Sequence, residues 1–300
     1  MAASSLEFAP AYAKINLSLE VLARRDDGYH ELASVMQTIS LHDTLRFRPI
    51  GDALRCVCDI EALANEENLA LRAARLAYAC LPDAHRSHGL LIELHKEIPF
   101  QAGLGGGSSD AACVLTTLNR RWNLGFRADR LEELGATLGS DVPFFIRGGT
   151  ALITGRGERV QPLPDAPSTW IVVAIPPVAV STQHVFRGLT PEDFSTGAAT
   201  NELVAGIRDG EPLDTRRMVN GLERRAMEMF PRIADTRDVL LQTGAPFVRM
   251  SGSGSALFAP TEDLAQAARV VAGARARGIT AHLARTVSAE EIASGSSGPR

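Results

Sequence analysis

Cysteine is scarce and scattered. The 300 residues hold four, Cys56, Cys58, Cys80 and Cys113, which makes no disulfide framework. Cys56 and Cys58 stand two apart in a strand-like run, with no second cysteine pair and no clustered histidine, so no zinc site and no metal ligand is assigned. Basic charge is not in excess either. The 31 Lys+Arg face 35 Asp+Glu, a formal net charge of −4, and this leaves no electrostatic footprint for nucleic acid or a membrane surface. Long apolar runs are missing. Trp170 to Val180 is about half of the roughly 20 residues that span a bilayer, and Pro176 and Pro177 break it. The opening MAASSLEFAP lacks the basic start and apolar core of a signal peptide. The expectation is a cytoplasmic protein with reduced, structural cysteines.

What is present is enough for a sizeable core, since 45% of residues are hydrophobic. Residues 11–22 alternate: Ala13, Ile15, Leu17, Leu19 and Val21 on one side, Lys14, Asn16, Ser18 and Glu20 on the other. That predicts a strand with one core face and one exposed polar face, ended by an Asp27-Gly28 turn. Further strands are expected near 33–40, 44–49, 54–60, 89–96, 170–175, 246–250, 256–259 and 279–286. Helices are expected from an Asn68 cap to Leu81, over 108–122, 128–138 and 262–277, and through much of 201–243. The tail SGSSGPR is expected to fray. Strands and helices mix without strict βα alternation, which indicates an α+β fold. The proline-rich stretch 162–167 is the linker candidate, dividing the chain into units 1–160 and 161–300.

The chemistry-bearing segment is Pro99, Phe100, Gln101, Ala102, Gly103, Leu104, Gly105, Gly106, Gly107, Ser108 and Ser109, placed between a strand and a helix. Glycines let a backbone curl tightly and turn its N–H groups on an anion. A helix starting at Ser108 and Ser109 adds free N–H groups and a positive dipole end. That is the construction of a phosphate site, and either serine hydroxyl offers a ligand to phosphate or magnesium. The plain alternative is a flexible loop with a serine cap, yet four glycines in five positions are costly for a connection. A dinucleotide fingerprint fails because Ser108 stands where its third glycine belongs and no acidic strand end follows. Neither a Gly-Lys-Ser/Thr loop nor the protein-kinase motifs occur.

Pro99-x-x-x-Gly103-Leu-Gly-Gly-Gly-Ser-Ser-x-Ala111 resembles the nucleotide loop of the GHMP kinases. Three further segments sharpen the likeness: Ala13-Lys14-Ile15-Asn16-Leu17, Asp27-Gly28-Tyr29-His30, and Gly139-Ser140-Asp141-Val142-Pro143-Phe144. The resemblance implies a two-lobed α+β GHMP kinase fold, with a ribosomal-protein-S5-like N-terminal domain, a ferredoxin-like C-terminal domain and an active site in the cleft between them. It implies an isoprene-biosynthesis kinase using ATP with Mg2+, in the non-mevalonate route. The small-molecule acceptor implied is 4-diphosphocytidyl-2-C-methyl-D-erythritol, phosphorylated on its 2-hydroxyl, by a monomer or homodimer. The rivals are a GHMP kinase for homoserine or a mevalonate derivative, and a nucleotide-binding protein without turnover.

Residue roles follow from the same resemblance. Lys14 sits at the phosphoryl acceptor and Asn16 lines the substrate site. Tyr29 stacks on cytosine and His30 reads its edge. Thr182 and Phe186 match another substrate segment, with the phenyl ring covering the second cytosine face. Asp141 matches the family's general base. Read from the chain alone, Asp141 is also a fitting helix cap, and it can equally orient the hydroxyl without taking its proton. Ser251-Gly-Ser-Gly-Ser255 either nears the phosphates or forms a tight hairpin.

Overall fold

The computed structural model describes residues 6–51, 53–82 and 89–295. β1 (Glu7–Arg24) and β2 (His30–Ile50) form one long antiparallel hairpin. The two strands expected at 33–40 and 44–49 are a single strand, and their junction is a register shift: Tyr12 pairs with His42 but Ala13 with Ile39. β2 carries the first sheet, in the order β3 (Leu54–Cys58), β4 (Gly89–His95), β2, β5 (Thr150–Gly155), β6 (Arg159–Pro162), with β1 also paired to β2.

Four helices join this unit: α1 (Leu69–Ala79), α2 (Gly106–Arg121), α3 (Ala128–Ala136) and α4 (Val142–Arg147). Asn68 caps α1 by accepting from the Ala70 N–H at 2.9 Å. Ala70, Ala73, Ala74 and Ala77 then give α1 a thin buried face, packed with Ala111, Leu115 and Leu118 of α2 into one core cluster.

The second unit is an antiparallel sheet in the order β10 (Thr280–Arg285), β7 (Trp170–Ile175), β9 (Leu257–Thr261), β8 (Arg249–Met250). The helical stretch expected over 201–243 resolves into α6 (Ala198–Arg208), α7 (Glu223–Met229) and α8 (Arg232–Gln242). Before them lies the short α5 (Thr182–Arg187), and after β9 comes α9 (Leu264–Arg275). Past β10 the chain returns to the first sheet: Thr286 bridges to Ile39, and Val287 N–H donates to the Thr38 carbonyl at 2.9 Å. It ends in α10 (Ala289–Gly295), so Ser294 and Gly295 of the expected frayed tail are helical, and 296–300 lie outside the described residues. The division drawn at 160/161 falls inside β6, and residues 163–169 connect the two sheets.

β1 departs most from expectation. Its polar side is not exposed: Lys14, Asn16, Ser18 and Glu20 are all buried. The second unit covers it, with α6 placing Thr200 so that its N–H donates to Glu20 (2.7 Å) and its hydroxyl to Ser18 (3.0 Å). The other side of β1 joins the second unit as well, since Ala13, Ile15 and Leu17 share one cluster with Ile171, Leu203 and Phe258. A strand buried on both faces between two units holds its side chains rigidly, and Lys14 and Asn16 are among them.

Candidate active site

The glycine segment is built around three positive-φ residues, Gln101 (54°), Gly103 (78°) and Gly105 (73°). Packing adds to the need for glycine. A methyl group on Gly103 would lie 2.2 Å from the Ser251 carbonyl oxygen, and one on Gly105 would lie 2.6 Å from the Phe145 ring. Gly105 is the residue before α2, so the helix starts at Gly106, two residues earlier than expected. The first amide to bond inside the helix is Ser109 N–H, to the Gly105 carbonyl at 2.9 Å. The N–H groups of Gly106, Gly107 and Ser108 are therefore the open donors of a 16-residue helix whose first turn carries no acidic residue.

The rest of the segment plays other parts. Ala102 and Leu104 bury their side chains in the core, and their carbonyls accept from Ala256 N–H (2.9 Å) and Lys14 N–H (3.0 Å). Pro99, Phe100 and Gln101 do not line the adjoining cavity, and Phe100 is exposed. Ser109 corrects an expectation. Its hydroxyl donates to the Tyr12 carbonyl at 2.6 Å, which turns it away from the loop mouth and from any phosphate or magnesium there. Ser108 makes no side-chain hydrogen bond among the described residues and lies beside Gly139, just ahead of Asp141.

A cavity of about 920 Å³ opens in front of Gly105, large enough for a nucleotide-sized ligand. Lys14, Asn16, Gly103, Gly105 and Asp141 line its inner part. Lys14 Nζ donates to Asn16 Oδ1 at 2.7 Å and lies 3.6 Å from Asp141 Oδ2. Asn16 Nδ2 is fixed in turn by Ser34 Oγ at 2.8 Å. Asp141 precedes α4 in the cap position, yet its side chain makes no capping bond. It is partly open to the cavity and faces the ammonium. A carboxylate in that place can accept a proton from an alcohol, and an ammonium beside it favours negative charge.

Tyr29 and His30 lie at the far reach of the cavity, because His30 pairs with Arg24, ten residues along β1 from Lys14. The turn is closed by Arg25 N–H on the Tyr29 carbonyl (2.8 Å), and Gly28 takes φ 84°. Tyr29 is 54% exposed, with the Arg156 guanidinium 5.1 Å from its ring centroid. His30 packs on Phe186, centroids 5.3 Å apart, and on Phe194 at 6.0 Å. Burial, aided by the Arg24 charge, holds its imidazole below the usual histidine value. The neutral ring keeps one donor and one acceptor. Phe186, against His30, lines the same part of the cavity as Tyr29. Thr182 shares a 2.8 Å hydrogen bond with Ser253, and His184 does not line the cavity.

The 251–255 loop supports the glycine segment. Ser251 Oγ donates to the Gly103 carbonyl at 3.0 Å and accepts from Asn16 N–H at 3.3 Å. Asn220 holds the loop from behind, donating to the Met250 and Gly252 carbonyls at 2.8 Å each. A further group was invisible in the sequence. Lys96 Nζ is buried against Asp43 and, at 2.7 Å, Asp110, and it lies directly under Gly106. Burial first, then the Asp43 charge, push the Asp110 carboxyl up to about 7 against the pull of Lys96. The other Asp43 oxygen accepts from Glu97 N–H (2.7 Å) and Ile98 N–H (2.8 Å), fixing the entry to the loop.

A helix N-terminus in a glycine curl, opening on a lysine–aspartate pair and a cavity of this size, defines a small-molecule phosphotransferase. The GHMP kinases N terminal domain matches residues 68–149, and the GHMP kinases C terminal domain matches 204–280. A 4-diphosphocytidyl-2-C-methyl-D-erythritol kinase of Pelotomaculum thermopropionicum is 43% identical over 267 residues, covering 88% of this chain and 92% of that one. A crystal structure of 4-(cytidine 5'-diphospho)-2C-methyl-D-erythritol kinase superposes with a TM-score of 0.81 at 38% identity, over 93% of this chain and 98% of that one. A homoserine kinase from Cytophaga hutchinsonii superposes at 0.72 over 96% of each chain, but at 19% identity it shares the fold alone. The chain belongs to the GHMP kinases, in the family of 4-diphosphocytidyl-2-C-methyl-D-erythritol kinases, and has the two-domain α+β fold of that superfamily.

Proposed function

We propose that the protein transfers the γ-phosphoryl group of ATP to the 2-hydroxyl of 4-diphosphocytidyl-2-C-methyl-D-erythritol, giving the 2-phosphate and ADP for isoprenoid precursor synthesis. The observation that carries the reading is the Lys14–Asp141 pair, 3.6 Å apart, facing the start of α2 within one cavity that also reaches Tyr29 and His30.

The triphosphate lies along the open N–H groups of Gly106, Gly107 and Ser108. The acceptor alcohol lies beside Asp141, which orients it and takes its proton as the oxygen attacks phosphorus. The bond from phosphorus to the bridging oxygen breaks and ADP leaves. Lys14, held by Asn16, stabilises the charge in transit. Alignment and charge account for most of the acceleration in phosphoryl transfer, so the rigidity of β1 matters as much as the acid–base step. The cytidine end of the acceptor rests in the part of the cavity lined by Tyr29, His30, Thr182 and Phe186.

Magnesium would come with the nucleotide, carried on its phosphate oxygens, where it would neutralise phosphate charge. The Ser108 hydroxyl, which lies beside Gly139 ahead of Asp141, would be the protein ligand to it.

A coupled ADP-release assay tests the reading. ADP is expected with the cytidyl acceptor and not with homoserine or mevalonate. Release with homoserine alone would overturn the acceptor, and ATP binding without turnover on any of the three would favour a nucleotide-binding protein.

A further inference from the structure

The outer part of the cavity carries cationic groups that the roles above leave unused. Arg24, at the end of β1, and Arg156, between β5 and β6, both line it close to Tyr29. Neither has a carboxylate within ion-pair distance among the described residues. Their neighbour Arg25 is the contrast: it pairs with Asp27 at 3.1 Å and with Glu31. Asp27, whose carboxylate feels the Arg156 charge, is already engaged by Tyr29 N–H at 3.1 Å and by Arg25. The turn holding Arg156 is set without its side chain. Gly155 and Gly157 take φ of 74° and 111°, and the Arg156 backbone N–H donates to Glu158 at 2.8 Å. The guanidinium is left over the Tyr29 ring, at 5.1 Å, with its fork of donors unspent.

We propose that Arg156, assisted by Arg24, is a specificity-determining residue that binds the diphosphate bridge of the acceptor. The inference rests on reading this end of the cavity as a cytidine diphosphate site. A planar guanidinium suits phosphate oxygens, to which it donates in pairs. Its stack on Tyr29 keeps it beside the aromatic ring that meets the base. A base and its diphosphate are then read by one adjoining pair, with Arg156 selecting nucleotide acceptors over uncharged alcohols.

The test compares cytidine, CMP and CDP as inhibitors competing with the acceptor in the ADP-release assay. In the wild type, CDP is expected to compete about tenfold more tightly than cytidine, as for a charge-assisted contact, with an advantage that shrinks as salt is raised. In Arg156→Leu that advantage should fall to about threefold or less, while inhibition by cytidine and the Michaelis constant for ATP stay within about twofold. Arg156→Lys should keep part of it, as a charge without the fork. An unchanged CDP-to-cytidine ratio in Arg156→Leu would overturn the inference, as would a wild-type ratio near one. Failure of all three compounds to compete in a wild-type enzyme that turns over would instead remove the cytidine reading of the cavity, and the inference with it.

Discussion

The two ends of the cavity are built in opposite ways. The end proposed for the triphosphate is made of backbone. Its amides are aimed by positive-φ glycines, its carbonyls are tied to Lys14, Ser251 and Ala256, and its charge sits beneath it in the Lys96 group. The end proposed for the acceptor is made of side chains on a hairpin tip and on α5, a helix of only six residues. The Tyr29 ring there is half open to solvent. A methyl group added on Gly103 meets main chain and one on Gly105 meets the Phe145 ring, whereas the Tyr29 ring, half exposed, fills no such tight space. On the proposed reading, chemistry common to any ATP-dependent alcohol kinase is locked into the fold, and the choice of acceptor is left to replaceable parts.

Substitutions can break that contrast or sharpen it. The largest effect is expected where the ends meet. Asp141→Asn should lower turnover by about 10²–10⁴-fold while ATP still binds, measured by single-turnover kinetics and calorimetric titration. Near-normal turnover would take the proton-accepting role from this residue. Next comes the phosphate end. Lys96→Met leaves Asp43 and Asp110 buried and uncompensated, so denaturant unfolding should show a loss of about 3–5 kcal/mol. A variant as stable as the wild type would mean that the charge beneath the loop is dispensable.

The acceptor end should respond more mildly and more selectively. Tyr29→Ala is expected to raise the Michaelis constant for the cytidyl acceptor about tenfold, in the range of one lost base–aromatic stack. The constant for ATP and the thermal midpoint should not move. A loss of stability instead would make Tyr29 part of the frame. The smallest effect concerns pH. Because the folded state holds His30 below its usual value, the ring stays neutral through the ordinary histidine range, near 6.5. Acceptor binding should stay flat as pH falls to about 6.5 and weaken only below it. The unfolded chain takes up the proton first, so His30 removes stability as pH falls through that value rather than as it rises. Arg24→Gln should move the inflection in acceptor binding upward, and no movement would exclude Arg24 as a cause.

Local signals in the sequence reached the elements set by local forces. The alternation over 11–22, the Asn68 cap and the glycine run each encode their own geometry within a few residues, and each appears in the structure. The faces of β1 were not legible in the same way. Whether Ser18 and Glu20 meet water or protein depends on Thr200 of the second unit, about 180 residues on. The Lys96 group was hidden for the same reason: Asp43, Lys96 and Asp110 carry no spacing pattern and meet only when β2, the loop entry and α2 are assembled. Ser109 misled because a hydroxyl beside a helix start looks like a ligand donor until the position of the Tyr12 carbonyl is known. The lysine–aspartate pair needed both routes. Likeness to known kinases singled out each member, and the fold accounts for how two residues 127 apart come to face each other.

The return of the chain to β2 after β10 ties the two units together. Gln37 reaches across to the Val287 carbonyl at 3.0 Å, Thr286 bridges to Ile39, and Ile292 closes over Gly148 at the end of α4. The first of these contacts joins residues 250 apart in the chain. The segment from Thr286 to Ile292 is thus a strap that fastens the second unit to the sheet carrying β1 and β2.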